Sequence, residues 1–157
     1  MKVALIIQAR MGSKRLPGKS MLDLAGKPLV ARILERVKRC KKVDEIILAI
    51  PDNKEDHQLY SLGIDCQVNV FVGSETDVLD RYYHASLWAH ATTIVRLPAD
   101  NATPEPAEID RIIDHHLKLD CPGFSSNLSQ IGQSGYPDGI GAEVFNFDLL
   151  AYAYLNS

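Results

Sequence analysis

Val3-Ala4-Leu5-Ile6-Ile7, running into Gln8-Ala9-Arg10-Met11-Gly12-Ser13-Lys14-Arg15-Leu16-Pro17-Gly18-Lys19, is the stretch on which the reading of this chain turns. The first five residues are apolar and rich in branched side chains, the pattern of a strand covered on both faces. The next twelve hold four cations, two glycines and a proline. Cations at that density, without acidic neighbours in sequence, fit a loop that meets an anion, and the backbone N–H groups of a glycine-containing turn add to the same field. The simpler reading is a solvated basic loop.

Composition narrows the choice. The chain has 157 residues, 46% of them hydrophobic, which suits one well-packed domain and is short for two. A formal net charge of −3 argues against a general nucleic-acid binder, which needs a broad basic surface. The basic charge is local, in Arg10, Lys14, Arg15 and Lys19 and then in Arg32, Arg36, Lys38, Arg39, Lys41 and Lys42, so a small anionic ligand is expected and no nucleic acid. No apolar run approaches the roughly 20 residues of a membrane span, and no signal-peptide core precedes the first strand, so a cytoplasmic protein is expected. Cys40, Cys66 and Cys121 are odd in number and lack a C-x-x-C pair, which suggests reduced packing residues.

Working outward, Pro28 is placed to open a helix in which Leu29, Val30, Ile33, Leu34 and Val37 share a face. Glu45–Ile50 reads as a second buried strand, about 53–62 as a short helix ended by Gly63, and Gln67–Val72 as a third strand. Gly73-Ser74-Glu75-Thr76-Asp77 offers a turn and an N-cap for a helix to about Ala91, with Trp88, Tyr82 and Tyr83 read as core residues of that helix. Thr93–Leu97 is a fourth strand, and Pro104, Pro106 and Glu108 open a helix bearing Ile109, Ile112, Ile113 and Leu117. Alternation of this kind predicts an α/β fold, a mostly parallel sheet with helices on both faces. After Cys121 come a short strand near Phe124, a polar glycine-rich loop over 130–139, a strand over 140–147 and a last helix. His115-His116 and the other histidines show no metal-ligand spacing and read as surface or packing residues.

Two phosphate-binding signatures fail on spacing. In G-x-x-x-x-G-K-[ST] four residues separate the glycines, whereas five lie between Gly12 and Gly18, and Pro17 removes a backbone donor. The dinucleotide pattern G-x-G-x-x-G is absent. Residues Gln8 to Lys19, followed by Leu24-Ala25-Gly26-Lys27-Pro28-Leu29, instead resemble the opening of the cytidylyltransferases that activate sugars and sugar acids. The spore-coat polysaccharide cytidylyltransferase-like group is the nearest branch, related to the 3-deoxy-manno-octulosonate and acylneuraminate enzymes. Gly73-Ser74-Glu75 with Asp77-Val78-Leu79-Asp80-Arg81-Tyr82, then Ile94-Val95-Arg96 with Asp100, and Tyr136-Pro137-Asp138-Gly139 with Glu143-Val144-Phe145, extend the similarity over most of the chain.

The resemblance implies a three-layer, nucleotide-diphospho-sugar transferase-like (Rossmann-like) fold and transfer of CMP from CTP to a sugar or sugar acid, with release of pyrophosphate. It implies Arg10 and Lys19 on the triphosphate, Ser13, Arg15, Ala9, Gly12 and Asp77 as further nucleotide contacts, Asp100 as the Mg²⁺ ligand, and Tyr136 and Asp138 near the acceptor sugar. Asp80 and Arg81 stand behind these as secondary candidates. On residues alone Asp100 reads as a turn residue, Asp77 and Asp80 as helix-terminus acids, and Pro137-Asp138-Gly139 as a turn. A homodimer is compatible with the resemblance. Departures from the pattern are Val72 where an Arg is common, Asn101-Ala102 after the metal Asp, and Gly141 where an acid is common. The single domain over 1–157 is also shorter than such relatives, which supply a second metal-binding carboxylate further on. A non-catalytic nucleotide or nucleotide-sugar binding module is therefore the rival reading, and a glycosyltransferase a weaker one.

Overall fold

A computed structural model describes residues 1–13, 15–120, 123–128, 135, 137 and 139–157. In chain order the elements are β1 (Val3–Gln8), α1 (Leu29–Val37), β2 (Glu45–Pro51), α2 (His57–Asp65), β3 (Asn69–Gly73), α3 (Val78–Trp88), β4 (Thr93–Pro98), α4 (Pro106–Leu117), β5 (Phe124–Ser126), β6 (Glu143–Asn146) and α5 (Phe147–Leu155). The strands form one six-stranded sheet in the order β3-β2-β1-β4-β6-β5. β1 pairs in parallel with β2 and with β4, and β2 in parallel with β3, while β6 runs antiparallel to both β4 and β5.

Alternation along the central strands sorts the core into two layers. Val3, Leu5, Ile7, Leu48, Ile50, Val95 and Leu97 meet Val30, Ile33, Leu34 and Val37 of α1, Leu59 of α2, and Ile109, Ile112 and Ile113 of α4. Ala4, Ile6, Ile47, Ala49 and Ile94 face Tyr82 and Ala85 of α3 and Leu150 of α5. The helical stripe 30, 33, 34, 37 is wholly buried, and each such side chain contributes about 1.5–3 kcal/mol by leaving water. Central strands buried on both sides are what an apolar β-branched run requires.

At the antiparallel end, Arg96 of β4 donates to Glu143, its register partner on β6. His116 of α4 is fully buried, with Nδ1 2.9 Å from the Ser125 hydroxyl and Nε2 3.0 Å from Asn146 Oδ1, so one imidazole joins the helix to β5 and β6.

Four local expectations change. Pro28 is the N-cap of α1 rather than part of its first turn. Gly63 lies inside α2, which runs on to Asp65, because its missing side chain is needed for packing: a Cβ there would sit 2.4 Å from Val70 Cγ2 and 3.3 Å from Leu48 Cδ2. The helix expected to reach about Ala91 ends at Trp88. Trp88 is half-exposed at 51%, tilted against Phe71 at 6.2 Å between ring centres, while Tyr82 from the same helix is buried.

Gly63→Ala separates two opposing effects. Helix propensity alone favours alanine by up to about 1 kcal/mol, but overpacking against β2 and β3 costs about 1–3 kcal/mol. The expected result is a melting temperature lowered by about 5 °C in thermal denaturation, and a rise would show that α2 stands off the sheet.

Candidate nucleotide site

The strand order places β2 on one side of β1 and β4 on the other, so the segments leaving the C-terminal ends of β1 and β4 diverge and leave a crevice between them. A cleft of about 440 Å³ lies there, lined by Gln8, Ala9, Arg10, Ser13, Arg15, Lys19 and Ser20 from the β1 side and by Pro98, Ala99 and Asp100 from the β4 side. Its floor continues the sheet: the Ala9 N–H bonds Ala49 O at 3.2 Å and the Ala99 N–H bonds Gln8 O at 3.1 Å.

The β1 loop is held by its own backbone and by one distant side chain. Met11 O accepts from Ser13 N at 2.8 Å and from Gly18 N at 3.0 Å, which closes the loop on itself. Gly18 adopts a left-handed φ of 70° to make that return, a conformation costly for other residues. Lys19–Met21 then forms a single 3₁₀ turn, and the buried Ser20 hydroxyl donates to Arg10 O at 3.0 Å. From outside the loop, Asp56, 1% exposed and just ahead of α2, accepts the Met11 N–H at 2.7 Å. This anchor spans 45 residues of sequence.

With the backbone so held, Arg10 and Arg15 project exposed side chains and Lys19 is half-buried. Neither Arg10 nor Arg15 makes a side-chain hydrogen bond or ion pair among the described residues. Lys19 Nζ lies 3.7 Å from Asp100 Oδ2, bridging the two walls. Both groups are accessible, so the pair is worth little net and exchanges readily for stronger partners. Two unengaged guanidiniums and a weakly paired lysine on one wall of a concave site form an anion receptor, and arginine forks suit phosphate oxygens in pairs.

Of the residues singled out in sequence, Ala9, Arg10, Ser13, Arg15, Lys19 and Asp100 come together in this cleft, and Gly12 lies in its loop without lining it. Ser13 Oγ also accepts the Leu16 N–H at 3.4 Å. Asp77 stands apart as the N-cap of α3, accepting the Asp80 N–H at 3.0 Å, the role expected of an acid at that position. Tyr136 and Asp138 lie outside the described residues, as does Lys14. Asp56 and Ser20 are the residues that sequence reasoning missed.

Among the described residues, Asp100 is the one carboxylate lining the cleft and so the candidate for holding Mg²⁺. No group of three His, Cys, Asp or Glu side chains gathers to form a metal cage among the described residues. One accessible carboxylate facing a cationic wall nevertheless suits Mg²⁺, which commonly takes one or two protein carboxylates and completes its shell with phosphate oxygens and waters. Burial pushes the Cys40 thiol up to about 12 and raises that of Cys66 as well, so these two stay protonated.

A family model described as cytidylyltransferase matches residues 4–155. The chain belongs to the cytidylyltransferase family. It is 34% identical over 152 residues to the spore coat polysaccharide biosynthesis protein SpsF of Bacillus subtilis (strain 168), covering 94% of this chain and 60% of SpsF. It is 35% identical over 113 residues to 3-deoxy-manno-octulosonate cytidylyltransferase of Anaeromyxobacter sp. (strain K), covering 71% of this chain and 46% of that enzyme. Among solved structures, a cytidylyltransferase from Leptospira borgpetersenii serovar Hardjo-bovis superposes with a TM-score of 0.92 at 30% identity, covering 100% of this chain and 65% of that one. The chain thus spans less than two-thirds of the length of each. No helix among the described residues is long and apolar enough to cross a membrane.

The Asp56 anchor is testable apart from any activity. Asp56→Ala leaves the Met11 N–H without its partner and is expected to cost about 1–3 kcal/mol, read by denaturant unfolding, whereas Asp56→Asn keeps an acceptor oxygen and is expected to recover at least half of that loss.

Proposed function

We propose that this cytidylyltransferase-family chain transfers CMP from CTP to a sugar or sugar acid, releasing pyrophosphate, in the synthesis of a surface polysaccharide or glycan. The observation that carries the proposal is the meeting of Arg10, Arg15 and Lys19 on one wall with Asp100 on the other, in a single cleft at the switch point of the sheet. The family and the names of its relatives support cytidine as the base and a sugar acid or polysaccharide precursor as the acceptor.

In the reaction, an acceptor hydroxyl oxygen attacks the α-phosphorus and gives up its proton to water, the bond to the bridging oxygen breaks, and pyrophosphate leaves with the electron pair. No protein nucleophile is required; the task is to position the phosphates and to neutralise the charge that develops on bridging and non-bridging oxygens. Arg10 and Arg15 present forked donors to the triphosphate, and Lys19 supplies a compact charge. When phosphate enters, Lys19 exchanges Asp100 for a phosphate oxygen, and the freed Asp100 carboxylate is the group that would hold Mg²⁺. The metal, when bound, supplies charge neutralisation at the transferring phosphoryl group. Tyr136 and Asp138 are proposed to approach the acceptor, and Asp77 is proposed as a further nucleotide contact, alongside its capping of α3.

A thermal-shift panel of nucleoside triphosphates with Mg²⁺ tests the base. CTP is expected to raise the melting temperature most, since a ligand of the folded state stabilises in proportion to its occupancy. Lys19→Met is expected to weaken CTP at least about tenfold, the loss of one charge-assisted phosphate contact. Asp100→Asn gives an opposite pair of signs. Without Mg²⁺, CTP affinity is expected to be unchanged or higher, because a repelling carboxylate is gone. With Mg²⁺, pyrophosphate release in the presence of a sugar acid is expected to fall at least about a hundredfold. A chain that binds CTP but releases no pyrophosphate with any acceptor would be a binding module.

A further inference from the structure

Strand register sets a row of polar side chains across the antiparallel end of the sheet. Arg96 on β4 is paired with Ile6 on β1 and with Glu143 on β6, and Glu143 is paired with Ser126 on β5. Directly paired residues share a face. Here it is the face covered by α3 and α5, since Ala4, Ile6, Ile94 and Phe145 belong to the core layer beneath those helices. The Arg96 guanidinium donates from Nη1 to Glu143 Oε2, and the Arg96 side chain keeps 38% of its surface open. In the next rung Phe124 of β5 stacks on its partner Phe145, with ring centres 6.4 Å apart and planes 9° apart, and Phe124 is half-exposed.

This row adjoins the cleft. Gln8 and Pro98 pair with each other one rung further along the same face, and both line the cleft. From Pro98 to Arg96 is two residues of strand, about 7 Å, comparable with the width of one sugar ring. A cross-strand ion pair serves to stitch β4 to β6. It does not account for the aromatic surface left open in the adjoining rung, on a face that runs into the cleft. Charge balance says what fits there. The β1 wall carries an excess of cations, whereas residues 119–157, which supply β5, β6 and α5, contain no lysine or arginine. Arg96 is matched by Glu143, so the row presents a donor and an acceptor side by side without net charge. Two neighbouring hydroxyls fit that pair, one accepting from the guanidinium and the other donating to the carboxylate. The C–H face of a sugar ring fits the open aromatic face by dispersion.

We propose that Arg96, Glu143 and Phe124 form the acceptor subsite, and that it recognises a sugar by its hydroxyls and its apolar ring face, not by a carboxylate. The proposal rests on the cleft being the phosphate site of a nucleotidyl transfer. Its consequence is that a neutral sugar and the matching sugar acid enter alike, and that selection among acceptors follows the configuration of their hydroxyls.

Backbone amide NMR with free sugars tests this without any turnover. Glucose, galactose, mannose and their uronic acids are titrated into the wild-type protein. For at least one hexose, saturable shifts are expected at Arg96, Phe124–Ser126 and Glu143–Phe145, with its uronic acid binding within about threefold. Phe124→Leu keeps apolar bulk on β5 and removes the ring, and is expected to weaken that sugar about tenfold. Phe124→Tyr is expected to stay within about threefold of wild type, and Glu143→Gln, which keeps the shape and removes the charged acceptor, to lose about tenfold. CTP affinity by calorimetry is expected to stay within about twofold in all three. No saturable shift at this row with any of these sugars overturns the proposal, as does unchanged binding in Phe124→Leu. A uronic acid bound more than about tenfold tighter than its hexose also overturns it, by making Arg96 a carboxylate site. If Phe124→Leu or Glu143→Gln fails to fold, the other is read by the same ratios, and failure of both overturns the proposal by making the row a structural requirement. Sugar binding at the row in a protein with no preference for CTP removes the cytidylyl reading and leaves the subsite, whereas CTP binding with no sugar at the row removes the subsite alone.

Discussion

Parallel pairing of β1 with β2 on one side and β4 on the other is the constraint from which the rest follows. Once those three strands are in register, the segments after β1 and β4 must leave the same end of the sheet and part company. The opening between them is a consequence of topology, not of any residue in it. Chemistry enters through what each segment carries: the β1 loop brings cations, and the β4 exit brings Asp100. The ion pair between Lys19 and Asp100 is the visible sign that the two reach one another.

A loop bearing that much positive charge would not hold one shape unaided, since its cations repel. Backbone closure on Met11 O, the left-handed Gly18, and above all the carboxylate of Asp56 hold it instead. Using a buried carboxylate to anchor a receptor for anions sets one requirement of the fold against one of the ligand. Cys40, Cys66 and the buried His116 take no part in this arrangement; they belong to the packing around it.

Much of this could be read from the chain before any coordinates, for physical reasons that differ by residue. The β1 strand and the α1 stripe are legible because alternation and 3.6-residue spacing act locally. Arg10, Arg15 and Lys19 are legible because their density fits an anion, whereas Asp100 is singled out through the family resemblance, since on residues alone it reads as a turn residue. The capping role of Asp77 is legible because an acid just before a helix accepts its first N–H groups. Asp56 carries no sequence signal: its bond to Met11 crosses 45 positions, and an isolated Asp before a helix looks like any other. Gly63 misled for a similar reason, as a glycine near a helix end is ordinarily a stop, and only the approach of Val70 from β3 explains one inside the helix. Trp88 could not be assigned to the core by size, because aromatic bulk is satisfied at the sheet edge against Phe71.

The central claim is that the polyphosphate of a nucleotide sits between the β1 loop and the β4 exit. Backbone amide NMR during a CTP titration in the presence of Mg²⁺ addresses it directly. The account predicts saturable shifts concentrated at Ala9–Ser13, Gly18–Ser20 and Ala99–Asn101, with smaller changes at Asp56. Shifts centred instead on the mixed-charge groove lined by Arg39, Lys41, Lys42, Asp110 and Arg111, beyond the end of α1 and against α4, would contradict it.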